Sequence, residues 1–162
     1  MDSSSLRFPS ARTAFAVRRG VSSACPEEAI TADHRCAELF ARYAARGGVS
    51  NGDVVALRMR HVHRQPLSML ARWIVDREVI CYGWCGTTWL PDFQFDARSS
   101  LPHPCVRRVV RELRGVYDDL EIADWFVRDN AFLDDRAPAD VIGTRPEAVL
   151  DAARADRFIS DC

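Results

Sequence analysis

Residues 50–90 read SNGDVVALRMRHVHRQPLSMLARWIVDREVICYGWCGTTWL, and the change of period inside this stretch decides the fold. Ser50 opens a helix running to about Val62, with Asp53 at its third helical position in a variant of the capping box. Val55, Met59 and Val62 line one face of it. His63-Arg64-Gln65-Pro66 interrupts the pattern, because Pro66 has no amide donor and biases the residue before it away from the helical region. A second helix follows over Leu67–Arg77, with Leu67, Leu70, Ala71 and Ile74 as its buried stripe. The period then changes. Val79-Ile80-Cys81-Tyr82-Gly83-Trp84 is rich in strand formers, Cys85-Gly86 suits a tight turn, and Thr87-Thr88-Trp89-Leu90 returns as far as Pro91. Two short helices about a tight break, followed at once by a hairpin, have the chain order of a helix–turn–helix with a wing.

Upstream, Cys36, Leu39, Phe40 and Tyr43 make one apolar stripe in a helix near Asp33–Arg46, which Gly47 and Gly48 stop. Residues 1–30 sustain no period and read as a weakly ordered tail with one short helix around Thr13–Arg19. Downstream, Val106, Val109, Val110, Leu113 and Val116 form a helical stripe, with Arg107, Arg111 and Arg114 on another face. Asp118 and Glu121 form a capping box for the next helix, whose core holds Leu120, Ala123, Trp125 and Phe126 and which Asn130 ends. Pro138–Ile142 is a short helix closed by Gly143. Thr144 and Glu147 form the capping box of a last helix reaching about Phe158, four residues before the end of the sequence. The fold class is therefore mainly α: a helix–turn–helix with a wing-like hairpin over residues 31–96, then a small helical bundle over 97–162.

Hydrophobic residues make up 48% of the 162, enough for a core. No apolar run approaches the ~20 residues that cross a bilayer, and no compact apolar block follows the first arginines as in a secretory signal. A cytoplasmic protein is the expectation. All 22 basic residues are arginine. Residues 1–96 carry 12 arginines against 10 acids, a net of +2, and residues 97–162 carry 10 against 13, a net of −3. The second part is thus where an acidic partner-binding surface is expected.

The chemistry-bearing motifs of common enzymes are missing. There is no phosphate-binding loop, no dinucleotide glycine fingerprint and no G-x-S-x-G elbow. His34, His61, His63 and His103 stand at no catalytic spacing. The acidic group Asp118, Asp119, Glu121 and Asp124 is placed to favour a helix N-terminus. Cys81 and Cys85 form a C-x3-C with His61 and His63 upstream, but a zinc site normally uses two tighter knuckles. No catalytic residue, metal or cofactor is expected. In a helix–turn–helix the second helix enters the major groove. Its candidate DNA contacts are Arg64, Ser68, Met69 and Arg72, with Trp73 on the same side and Arg58, Arg60 and Arg64 within reach of phosphates. Trp84, Trp89, Phe93 and Phe95 read as a hairpin and loop closing over the core.

An ordered set of segments spans residues 89–159: Trp89-Leu90-Pro91-Asp92-Phe93-Gln94-Phe95-Asp96, Leu101-Pro102-His103-Pro104 and the helix Val106–Leu113; Ile122-Ala123-Asp124-Trp125-Phe126, Asn130-Ala131-Phe132-Leu133 and Pro138-Ala139-Asp140; then Ala148-Val149-Leu150-Asp151-Ala152-Ala153 and Asp156-Arg157-Phe158. This set resembles the toxin-binding domain of antitoxins of the Xre/MbcA/ParS type. The resemblance implies a type II antitoxin, itself no enzyme, whose usual partner is a RES-domain toxin that destroys NAD. It also implies that the C-terminal domain packs on the toxin while its tail obstructs the active-site entrance. The candidate toxin contacts are Trp125, Asn130, Asp156, Arg157, Phe158 and Asp161. Operator DNA and a second copy of the chain are further expected partners. The upstream region is shorter than a five-helix Xre domain. A DNA-binding regulator that has no toxin and uses its C-terminal bundle to dimerise is the alternative.

Overall fold

The computed structural model describes residues 26–160. The expected helix around Thr13–Arg19 and the candidate contact Asp161 lie outside them. The protein is mainly helical, with a small three-stranded antiparallel sheet. Its elements are α1 (Pro26–Ala44), β1 (Val49–Asn51), α2 (Gly52–Met59), α3 (Pro66–Val75), β2 (Tyr82–Trp84), β3 (Thr87–Pro91), α4 (Pro104–Leu113), α5 (Asp119–Val127), α6 (Pro138–Val141) and α7 (Pro146–Ser160).

The hairpin forms as its sequence requires. Tyr82 faces Trp89 and Trp84 faces Thr87, so Cys85-Gly86 is a two-residue turn. Both turn residues have positive φ, 51° and 73°, the combination whose twist matches that of the flanking strands. Strand β1 is an element the sequence reading lacked. It pairs antiparallel with β3 from Val49 opposite Pro91 to Asn51 opposite Trp89, giving the strand order β1-β3-β2. Ser50 is therefore in a strand, and Asn51 caps α2 instead, its side chain accepting the Val54 N–H at 2.9 Å. Helix α2 also stops at Met59, which leaves Val62 in the connection and 52% exposed.

Alternation along residues 79–82 divides the interior in two. Val79 and Cys81 face one apolar cluster with Val55, Met59, Leu70, Trp73, Leu90 and Phe95. Ile80 and Tyr82 face a larger one, built from α1, α4, α5, α6 and α7. Helix α3 is rotated from the expected stripe: Trp73 is buried, while Leu67 is 41% exposed and Ala71 and Ile74 are half-buried. The indole removes more apolar surface from water than leucine does, so it takes the inward position.

Helix α1 begins at Pro26, inside the stretch expected to be a tail, and buries Cys36, Leu39 and Tyr43. Those side chains join the cluster of α4–α7, with α1 packed against α5. The packing thus does not divide at residue 97, since α1 lies with the C-terminal helices and α2–α3 with the other cluster. The Tyr43 hydroxyl donates to the Ala123 carbonyl at 2.7 Å, and Arg46 holds both oxygens of Asp140 at 2.6 and 2.7 Å. Gly47 and Gly48, at φ +90° and +84°, turn the chain out of α1 into β1.

The capping box of Asp118 and Glu121 on α5 forms as read. That of Thr144 and Glu147 does not. The Thr144 hydroxyl donates back to the Val141 carbonyl at 3.1 Å, and Glu147 is held by both terminal nitrogens of Arg108 at 2.6 and 3.1 Å. Asn130 caps the one-turn helix Ala131–Leu133 after α5.

Candidate functional site

Helix α7 is fixed along one side and exposed along the other. Val149, Leu150, Ala152 and Ala153 are buried, and the helix packs along α4. The same inward stripe continues to Asp156, one helical heptad from Val149. There one carboxylate oxygen of Asp156 accepts from Trp125 Nε1 at 2.7 Å and from Asn130 Nδ2 at 3.0 Å. Three of the candidate toxin contacts are thereby brought together, as a clamp that fastens α7 to α5 and to the turn after it. Trp125 is only 9% exposed, so its side chain serves this clamp rather than the surface. Arg157 pairs with Glu112 on α4 at 2.6 Å. Phe158 lies half a turn from the stripe and is 72% exposed, with Ile159 beside it at 63%. Ile159 and Glu112 escaped the sequence reading. Phe158 falls off the Val149–Ala153–Asp156 stripe on a helical projection, a signal present in the sequence, whereas Ile159, one heptad from buried Ala152, is exposed through its place at the helix end.

The candidate DNA residues divide as well. Arg64, Ser68 and Arg72 are exposed, but Met69 is half-buried against the second cluster and Trp73 is inside it. The Arg72 side chain, 82% exposed, leans on Asp76 at 3.5 Å. Arg58 turns towards the sheet, bound to Asp92 at 2.6 Å and to Ser50, so its charge is already answered within the chain. Arg60 and Arg64 pair with no carboxylate among the described residues.

Several groups suited to chemistry are taken up by burial or by ion pairs. Burial pushes the Cys81 thiol up to about 12, with Asp119 adding to it, and burial also raises Cys36. Cys85 is exposed at the hairpin turn, so the C-x3-C pair points to different environments. Asp119 binds Arg77 at 2.7 Å and Asp124 binds Arg128, which accounts for the acidic group around α5. His63 Nε2 meets the Ser99 carbonyl at 3.1 Å. No three His, Cys, Asp or Glu side chains gather as a metal site among the described residues. No described helix is long and apolar enough to cross a membrane. No family model, curated protein or solved structure matches the chain.

Proposed function

We propose that the chain is an antitoxin that neutralises a RES-type, NAD-degrading toxin by occupying its active-site entrance with the end of α7. The observation that carries this reading is the exposed apolar pair Phe158 and Ile159 at the end of a helix whose inner side is locked. Obstruction asks for a rigid support and an exposed apolar tip, and no reactive residue. The support is supplied by Asp156, which fixes α7 to Trp125 and Asn130, and by the Arg157–Glu112 pair. A preformed helix loses little conformational freedom on docking, which favours affinity. Deleting Phe158–Cys162 leaves the buried part of α7 intact. The shortened chain is expected to keep its helical circular dichroism yet protect toxin-expressing cells less well. Full protection would exclude the tip as the blocking element.

A second reading is contact with operator DNA through α3. What favours it is the succession β1-α2-α3-β2-β3 with strand order β1-β3-β2, the order of a winged helix, together with exposed Ser68 and Arg72 on α3. Replacing Arg72 with Ala costs ~1–3 kcal/mol of binding if that side chain reads a base edge. A mobility-shift assay on the native promoter tests it, and unchanged binding by the variant contradicts it.

A further inference from the structure

We propose that the groove between α2 and α3 docks an acidic, amphipathic helix of a partner protein. Helix α1 packs with the C-terminal helices, away from the cluster that α2 and α3 share, so among the described residues no third helix of this cluster covers their outer side. Two large apolar side chains stay exposed there, Leu57 at 56% and Leu67 at 41%, one from each helix. Scattered apolar exposure is ordinary, but apolar side chains facing one groove mark a docking surface.

The groove has a volume of about 420 Å³, with Ala56, Leu57, Pro66 and Leu67 as apolar lining. Arg60 and Arg64 stand at its edge, the same two arginines that pair with no carboxylate among the described residues. The α3 N-terminus opens into it too. Gln65, at the capping position, gives no side-chain hydrogen bond, so the amides that follow Pro66 have no side-chain acceptor among the described residues. Each feature favours carboxylates beside apolar anchors. Asp53 is the one acid in the lining. Ser68 and Arg72 do not line the groove, but Arg60 and Arg64 do, so the groove shares these two arginines with the DNA reading of α3 and is separate only from the role of α7.

The test uses a labelled helix-forming peptide of about 16 residues, with leucines at i, i+3, i+4 and i+7 and glutamates opposite, followed by fluorescence anisotropy against the full chain. A twin with lysine for every glutamate is the control. The acidic peptide is expected to bind and its twin to bind much more weakly. Leu57→Ser, at an exposed position that the fold tolerates, weakens binding about tenfold, from the lost apolar contact. The double variant Arg60→Glu with Arg64→Glu reverses the preference between the two peptides. Absence of saturable binding, or binding indifferent to Leu57 and to peptide charge, overturns the proposal. So does duplex DNA whose binding needs Leu57 and is not displaced by the peptide. Sedimentation showing a dimer that Leu57→Ser dissociates would assign the groove to a second copy of the chain, and also overturns it.

Discussion

The carboxamide of Gln94 pairs with the backbone of Ile80 as a neighbouring strand would. Its Nε2 donates to the Ile80 carbonyl at 2.8 Å, and its Oε1 accepts from the Ile80 N–H at 2.7 Å. The same Nε2 donates to the Pro91 carbonyl at 3.0 Å, and the side chain is wholly buried. Ile80 lies at the crossing between the two apolar clusters, before β2 begins, where no strand partner serves its amide. Gln94 supplies that partner. Its neighbours divide between the clusters: Phe93 packs on the first and Phe95 lies in the second.

Gln94→Leu is therefore expected to destabilise the fold by about 3 kcal/mol, since it leaves buried backbone groups without partners. Urea denaturation monitored by tryptophan fluorescence measures it. A change below about 0.5 kcal/mol, the scale of a surface substitution, would contradict this account of the junction.

Two buried tyrosines make a paired prediction. The Tyr43 hydroxyl has its acceptor at Ala123, whereas the Tyr82 hydroxyl is buried with no partner among the described residues. Tyr43→Phe should cost about 1–2 kcal/mol and Tyr82→Phe should be neutral or stabilising. Equal losses in thermal denaturation would show that Tyr82 makes a hydrogen bond in solution.

Burial makes Cys81 inert and exposure leaves Cys85 accessible. At pH 8 in native buffer, iodoacetamide should label Cys85 long before Cys81, whose thiol releases its proton only near 12. In denaturant the difference should vanish. Peptide mapping by mass spectrometry reads both, and equal native labelling would contradict the packing of Cys81 between α2–α3 and the hairpin.

Asp96 and Glu147 give the acid limb of the stability profile. Amide and hydroxyl hydrogen bonds from Ser99, with the Arg98 amide, hold Asp96 below the usual carboxylate range, and the Arg108 guanidinium does the same for Glu147. The unfolded chain takes up protons on these groups at a higher pH than the folded chain does. Their stabilisation is therefore complete above the ordinary carboxylate values and is lost as pH falls through the lower folded ones. Melting temperature should drop through this window, and Asp96→Asn with Glu147→Gln should flatten the drop. An unaltered slope in that double variant would exclude them as its source.

The parts legible in the sequence are those set by local geometry. Cys85-Gly86 with its flanking strands, the stop at Gly47-Gly48, the Asp118–Glu121 cap and the α4 stripe each depend on residues a few positions apart. What escaped depends on distant partners. Three residues of β1 carry too little pattern to reveal a strand without β3 beside it. The rotation of α3 follows from Trp73 finding Val79, Cys81 and Leu90, and the side taken by α1 follows from Tyr43 reaching Ala123 across 80 positions. At the candidate site, exposed Phe158 was legible from its place off the α7 stripe. The clamp was not, because Asp156, Trp125 and Asn130 are 26 and 31 positions apart and meet only when α7 packs.

The end of α7 as the blocking element is tested most directly by calorimetric titration of a RES-domain toxin with the wild-type chain and with Phe158→Ser combined with Ile159→Ser. Both side chains are exposed, so the variant should melt close to wild type. Burial of two such side chains at the toxin's active-site entrance predicts an affinity loss of about a hundredfold, and NAD hydrolysis in the mixture should return in step. Undiminished affinity and inhibition by that variant, or no binding by the wild type, would contradict the account.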